Sequence, residues 1–389
     1  MKTKFYHNTR PERIYISLGN GCNLRCKYCY HNDDDQSFID YPINDDIIDW
    51  IKETCRRYEF EYDPKDGRTQ IEIKFFGGEP LMYWDKIVYL TEKLKDIPNA
   101  HFAIITNGKL LTADMANYLN KNGFKVNLSW DGHKQSAELR GYDALSENRD
   151  NIFKLDQLYI LSTIVDFRNH KILFKDLEDE VNIYHSIHNR VFNWTFTIVD
   201  NMGTQAEWMN PGTKEELLER SYEMWEVARK SIIKKNKTPF DVMLTFTIWE
   251  RVIEMCDRDF GVRREIMEGS DNPRTYTVSL DGNLWQFHKL PPDSQYSVKV
   301  GTIYDNYFVY LKSFFDKSKL KEQSDRVGCS DCEVNLLCKG AGPGIARDYE
   351  ERAHEIRYAL NKPIVDLIDW LCEGNIDLAL ENNDADNNE

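Results

Sequence analysis

The chain has 389 residues, 41% hydrophobic and 13% aromatic, a composition suited to a globular protein of two or three domains. A net charge of −15 argues against a nucleic-acid partner, and no run approaches the roughly 18 apolar residues of a membrane span, so no membrane partner is expected. The first residues, MKTKFYHNTRPERIYISLG, are basic but lack the apolar core of a signal peptide; a cytoplasmic chain is expected, with its nine cysteines serving metal binding rather than disulfides.

After a short arm (1–12), RIYISL (13–18) reads as a strand, and INDDIIDWIKETCRRYEF (43–60) has helical apolar spacing with an acidic first turn. IEIKFFGG (71–78) is a strand ending in two glycines, and MYWDKIVYLTEKLKD (82–96) a helix. AHFAIITNG (100–108) is a strand, TADMANYLNKNG (112–123) a helix stopped by Gly123, and KVNLSWDG (125–132) a strand. LDQLYILSTIVD (155–166) and RVFNWTFTIVD (190–200) are further strands, separated by the helical KILFKDLEDEVNIYHSI (171–187). Such alternation predicts an α/β fold with a parallel sheet, a partial (β/α)6 TIM-like barrel over 13–211. Charged helices (212–265) bridge to a region of different texture (266–373), which holds a hairpin turning at Asp281-Gly282, the thiol-dense VGCSDCEVNLLCKGAGPG and a closing helix around 352–372 that contains Pro363. The polar, acidic end (374–389) reads as a disordered tail.

In such barrels reactive residues gather in the loops after the strands' C-terminal ends. The cysteine-rich GCNLRCKYCYHN follows the first strand, GGEP the second, TNG the third, and SWDG closes the fourth. Cys22, Cys26 and Cys29 offer three thiolates at spacings of four and three. Three cysteines hold three irons of a [4Fe–4S] cube and leave the fourth open for a ligand, as a catalytic cluster needs. Zinc, which normally takes four ligands, and unrelated buried thiols are the alternatives.

C-x3-C-x2-C after the first strand of a partial barrel, with the aromatic Tyr28 before the last cysteine, resembles the radical S-adenosylmethionine (radical SAM) enzymes. The resemblance implies that the open iron chelates the methionine part of SAM and that reductive cleavage yields a 5′-deoxyadenosyl radical. GGEP resembles the motif whose backbone and glutamate meet the methionine ammonium: Gly77 and Gly78 would allow close approach of a ligand, and Glu79 would supply negative charge. Ser129, Asp131 and Arg140 resemble an S-x-D-G…R arrangement in which the serine and arginine contact the ribose and carboxylate of SAM; Thr106 and Asn107 add a weaker match.

Cys329, Cys332 and Cys338 form C-x2-C-x5-C, which resembles the centre of the SPASM extension found in peptide- and protein-modifying maturases. That extension usually binds two auxiliary clusters with seven cysteines, but Gly342 and Phe287 stand where two of these are expected. The resemblance therefore implies one auxiliary [4Fe–4S] cluster, its fourth ligand Cys372, with Asp366 and His354 as fallbacks; zinc is the alternative there too. Cys55 and Cys256 read as packing thiols, Cys256 having a minority reading as a hydrogen-atom donor.

The expected activity is that of a radical SAM maturase that modifies a ribosomally made peptide by oxidative carbon–carbon or thioether cross-linking. Peptide epimerisation, sulfatase-type maturation, and oxidation or epimerisation of a small molecule are alternatives, and a non-enzymatic Fe–S regulator is the contrasting class. The expected partners are a precursor peptide and an electron donor such as flavodoxin or ferredoxin.

Overall fold

The computed structural model describes residues 12–29, 40–64, 70–164, 170–198, 213–256, 275–285, 299–305, 332–334, 350–371 and 373. Two compact units divide the chain, the first holding 1–129, 147–158 and 270–320, the second 130–146, 159–269 and 321–389.

In the first unit, β1 (Arg13–Ser17), β2 (Ile71–Phe76), β3 (Ala100–Thr106) and β4 (Lys125–Ser129) run parallel, joined through α1 (Asp46–Arg56), α2 (Trp84–Leu94) and α3 (Ala113–Lys121). A parallel pair needs a crossover, and these amphipathic helices supply it. α3 starts where the Thr112 hydroxyl accepts the Met115 N–H at 3.2 Å. It ends before Gly123, whose φ of +64° suits a residue without Cβ.

Strand alternation sorts the side chains onto two faces. Ile14, Ile16, Ile73, Phe75, Phe102, Ile104, Val126 and Leu128 share a buried apolar face. There Phe75, Phe102 and Phe124 stack with ring centroids 5.2 to 6.1 Å apart. Each such side chain contributes about 1.5–3 kcal/mol on burial. The opposite face carries Arg13, Tyr15 and Ser17 from β1 and Glu72, Lys74 and Phe76 from β2.

The hairpin at Asp281-Gly282 forms as the sequence predicts: β7 (Thr275–Ser279) and β8 (Asn283–Trp285) are antiparallel, and Gly282 has φ +87°. Its place differs from the expectation of a separate C-terminal region, because β7 pairs parallel with β1, Tyr15 opposite Thr277. β9 (Lys299–Thr302), a short strand whose sequence carries little apolar pattern, pairs with β8. The strand order in this unit is β4-β3-β2-β1-β7-β8-β9.

The second unit contains β5 (Leu158–Ile164, all but its first residue) and β6 (Asn193–Ile198), parallel and joined through α4 (His170–His188). α5 (Lys214–Ile233) opens with a capping box between Thr213 and Glu216. α6 (Pro239–Cys256) and α7 (Glu350–Trp370, with Pro363 inside it) are its other long helices among the described residues. Phe174 meets Trp194 and Phe240 edge-on in the core, and the Trp194 indole donates to Ser162 Oγ at 3.0 Å. The whole is the α/β class read from the sequence, parallel strands alternating with helices.

Candidate functional site

β1 leads into the cysteine loop through Leu18, whose N–H donates to the Phe76 carbonyl at 3.0 Å. The loop tightens where the Cys29 N–H donates to the Cys26 carbonyl at 3.0 Å. Cys22, Cys26 and Cys29 are half-buried and outside any disulfide, and Tyr28 between them is buried. The Leu24 N–H reaches Cys22 Sγ at 3.4 Å. Burial pushes the Cys22 thiol up, aided by the charges of Glu79 and Cys26, against the Leu24 N–H and Arg25 that favour its thiolate. Iron offsets such a penalty because binding displaces the thiol proton. Among the described residues no group of three or more His, Cys, Asp or Glu could hold a single metal ion. A [4Fe–4S] cube with one open iron takes three thiolates, one to each of its other irons, and the chemistry of this donor set suits it. Nδ2 of Asn23, inside the loop, is buried and has no hydrogen-bond partner among the described residues.

The loop after β2 is fastened directly to the cysteine loop. The Gly78 N–H donates to Gly19 O at 3.1 Å, the Glu79 N–H to Gly21 O at 2.8 Å, and the Gly21 N–H to the Tyr83 hydroxyl at 2.9 Å. A Cβ on Gly77 would lie 2.4 Å from Gly19 O, and one on Gly78 2.4 Å from the carbonyls of both Asn20 and Gly21. The two glycines are thus required by the approach of chain to chain. This need stands beside the ligand approach expected of them from the sequence.

Glu79 joins a third loop to these two. Its carboxylate accepts from Leu81 N at 3.0 Å, Thr106 Oγ1 at 2.7 Å and Asn107 N at 2.8 Å. Asn107 Nδ2 in turn donates to Asn23 Oδ1 at 2.8 Å. Burial raises the Glu79 carboxyl above its ordinary range despite the hydrogen bonds from Asn107, Thr106 and Leu81. The loops after β1, β2 and β3 therefore form one hydrogen-bonded body in the first unit.

Ser129, the last residue of β4, belongs to the first unit; Asp131 and Arg140 belong to the second. Arg140 grips Asp131 with both arms of its fork, Nε to Oδ2 at 2.7 Å and Nη2 to Oδ1 at 2.9 Å. Asp131 also accepts the Thr163 N–H at 2.6 Å. The bidentate geometry expected for the carboxylate of SAM is thus formed with Asp131.

Beside this pair stands a cluster that the sequence did not reveal. His133 Nδ1 is 2.8 Å from Asp143 Oδ2 and Nε2 is 3.1 Å from Glu180 Oε1, a buried carboxylate of α4. The Trp130 indole donates to Asp143 Oδ1 at 2.8 Å. The Asp143 carboxyl is driven up by burial and down by hydrogen bonds from Ser146, Trp130 and His133, and the latter win. Residues from 130 to 180 meet here, a separation that no short motif records.

Of the second cysteine group, Cys332 is described, half-buried and outside any disulfide; Cys329, Cys338 and Cys372 lie outside the described residues, as do Phe287 and Gly342. The fallback Asp366 is taken up in the second unit, 2.6 Å from Lys362 Nζ and accepting from the Tyr222 hydroxyl. Cys55 is fully buried and its thiol pushed up to about 12 by desolvation, as a packing thiol should be. The side chains of Cys256 and His354 are outside the description.

Residues 16–145 match the Radical SAM superfamily. Over 183 residues the chain is 27% identical to the radical SAM cyclopropyl synthase TigE of Paramaledivibacter caminithermalis, covering 43% of this chain and 37% of that protein. The chain spans between 36% and 51% of the length of the curated relatives it matches. Its fold is similar to that of anSMEcpe with bound AdoMet and Cp18Cys peptide, with a TM-score of 0.60 and 17% identity over 95% of this chain and 99% of that one. It is also similar to Streptococcus suis SuiB bound to precursor peptide SuiA, with a TM-score of 0.54 and 13% identity over 88% and 74% of the two chains. The matched segment contains all three cysteines and the loops bonded to them, and over those residues the chain is similar to the radical SAM superfamily.

Proposed function

We propose that this protein is a radical SAM maturase that modifies a ribosomally synthesised peptide by oxidative cross-linking. The observation that carries the first half is the fastening of the three-cysteine loop to the glycine loop by the Gly78 and Glu79 N–H groups. Cys22, Cys26 and Cys29 would hold the cluster, which when bound supplies the electron that splits SAM into methionine and a 5′-deoxyadenosyl radical. The backbone of Gly77, Gly78 and Glu79 would orient the methionine end of SAM. Glu79 holds that backbone rigid through its three hydrogen bonds, and Tyr28 shields the loop. Ser129, Asp131 and Arg140 are proposed on the sequence pattern to serve the other end of SAM, with Asp131 fixing the Arg140 guanidinium.

The peptide half is supported by the likeness in fold to structures that hold peptides and by the cysteines Cys329, Cys332 and Cys338. These, with Cys372, are proposed to hold one auxiliary cluster in a SPASM-like region. A flavodoxin or ferredoxin is proposed as the electron donor.

Reconstituted enzyme given dithionite and SAM should release 5′-deoxyadenosine, and Cys22→Ala, Cys26→Ala and Cys29→Ala should each abolish this. Unchanged release in any of the three would overturn the cluster assignment. With the authentic precursor, a product lighter by about two hydrogens supports cross-linking. In deuterated water, a product heavier by about one mass unit would move the enzyme to epimerisation.

A further inference from the structure

Asp131 and Arg140 belong to the segment 130–146, which sits in the second unit with α4 and all but the first residue of β5. Within it the Gly141 N–H donates to the carbonyl of Ser136, five residues back, so 136–140 form one wide π-type turn that ends in Arg140. Such turns are rare and occur mostly at functional sites. Gly141, at φ +71°, stops the turn at once. Where Arg140 stands therefore depends on what the segment is tied to.

Thr163 of β5 holds one side of it. The Thr163 N–H donates to Asp131 Oδ1 at 2.6 Å, and Gln135 Nε2 donates to the Thr163 carbonyl at 2.7 Å. Two ties to α4 both start from His133. Its backbone N–H donates to Asp176 Oδ2 at 2.9 Å, and its ring Nε2 lies 3.1 Å from Glu180 Oε1. Asp176 and Glu180 stand about one turn apart on the same face of α4. The other ring nitrogen, Nδ1, is 2.8 Å from Asp143 Oδ2, near the far end of the segment. Trp130 meets the ring edge-on at 5.1 Å and donates its own N–H to Asp143 Oδ1 at 2.8 Å, which fixes the ring's orientation. One imidazole thus closes the segment on itself and fastens it to the helix. The Glu180 side chain is 1% exposed, and a carboxyl group so buried costs stability unless polar partners meet it.

We infer that His133 is a positioning residue for SAM binding, whose ring, set between Asp143 and Glu180, holds the segment bearing Asp131 and Arg140 against α4 and so sets where the Arg140 guanidinium stands. The inference rests on the reading in which Arg140 serves SAM, and it adds a residue that the sequence pattern leaves out. The effect of His133 on SAM passes through the segment. Loss of the ring should therefore weaken SAM binding and leave the cleavage step unchanged once SAM is bound.

The test compares reconstituted full-length wild type, His133→Ala, His133→Gln, Glu180→Gln and the double variant His133→Ala/Glu180→Gln, all with excess dithionite. His133→Ala should raise the KM for SAM about tenfold while kcat for 5′-deoxyadenosine release stays within about twofold. Iron content should not change, because the cysteine loop lies in the first unit. His133→Gln, whose amide can still reach Glu180, should recover part of the loss. Glu180→Gln added to His133→Ala should raise KM little further, since the tie is already gone. Amides of 130–146 should exchange with deuterated solvent faster in His133→Ala than in wild type, as read by mass spectrometry of peptides. An unchanged KM in folded His133→Ala overturns the inference. So does a joint fall in kcat and iron, which marks a purely structural role, or full additivity of the two substitutions. If His133→Ala does not fold, Glu180→Gln decides: a raised KM supports the inference and an unchanged one overturns it. No release of 5′-deoxyadenosine by wild type would sink the enzyme reading instead, and the exchange rates would still show whether His133 ties the segment down.

Discussion

The carboxylate of Glu79 accepts the backbone N–H of Asn107 at 2.8 Å, a bond that spans two strands of the parallel sheet and is buried from solvent. Through it the loop after β3 is tied to the loop after β2, which is itself tied to the cysteine loop. A residue that the sequence marks as a ligand contact is also a structural knot. For the proposed cluster this is a gain, because its three thiolates would be held in place before iron arrives.

Glu79→Gln is expected to destabilise the protein by about 1–3 kcal/mol, since an amide NH2 replaces one of two acceptor oxygens and faces a donor. The gap between wild type and variant should depend on pH. The folded-state pKa of Glu79 is raised, so its contribution is full below the ordinary glutamate range and declines as pH rises through the folded value. Urea unfolding at a series of pH values checks both: a gap that widens with rising pH would refute the assignment.

Gly78→Ala should prevent formation of the cysteine loop, because its Cβ would meet two carbonyl oxygens at 2.4 Å, both backbone atoms that cannot swing aside. Gly123→Ala is the control. Its Cβ meets nothing within 4 Å, so only the left-handed φ of +64° resists, at about 1–2 kcal/mol. Iron content after reconstitution should fall sharply in the first variant and stay at the wild-type level in the second.

Asp143→Asn removes the charge that His133 and Ser146 face, at an expected cost of about 1–3 kcal/mol at neutral pH. The folded pKa of Asp143 is depressed, so this contribution is present above about pH 4 and is lost as pH falls through the depressed value. Thermal unfolding of wild type and variant should therefore converge in acid. A constant difference across the range would show that the carboxylate charge contributes nothing.

Reconstituted protein should hold about eight irons per chain, two four-iron clusters, rather than about twelve. The residues behind this are Phe287 and Gly342, which stand where thiols are expected for a further cluster. Cys372→Ala should leave the cysteine-loop cluster and SAM cleavage in place while the second cluster's spin-resonance signal is lost. Iron analysis giving about twelve, or a Cys372→Ala variant with both signals intact, would refute the ligand set.

The sequence by itself determined the parallel strands β1 to β6, the helices between them and the position of the three-cysteine loop after β1. Period-two apolar runs such as RIYIS, helical spacing and glycine stops are local signals, and a metal-binding spacing of four and three is local too. Only the tertiary structure decided what the special residues touch. Gly77 and Gly78 are glycine because the chain at 19–21 packs against them, and Arg140 closes on Asp131. His133 is clamped between Asp143 and Glu180, residues 37 positions apart in the chain. The pairing of β7 with β1 joins residues more than 250 positions apart, and only that pairing brings Thr277 opposite Tyr15. Charges inside IEIKFF were visible in the sequence, but only the structure shows that Glu72 meets Arg13, from another strand, as well as Lys74. Contacts of this kind depend on register between distant strands, and register is set by the packing of the whole sheet rather than by any one segment.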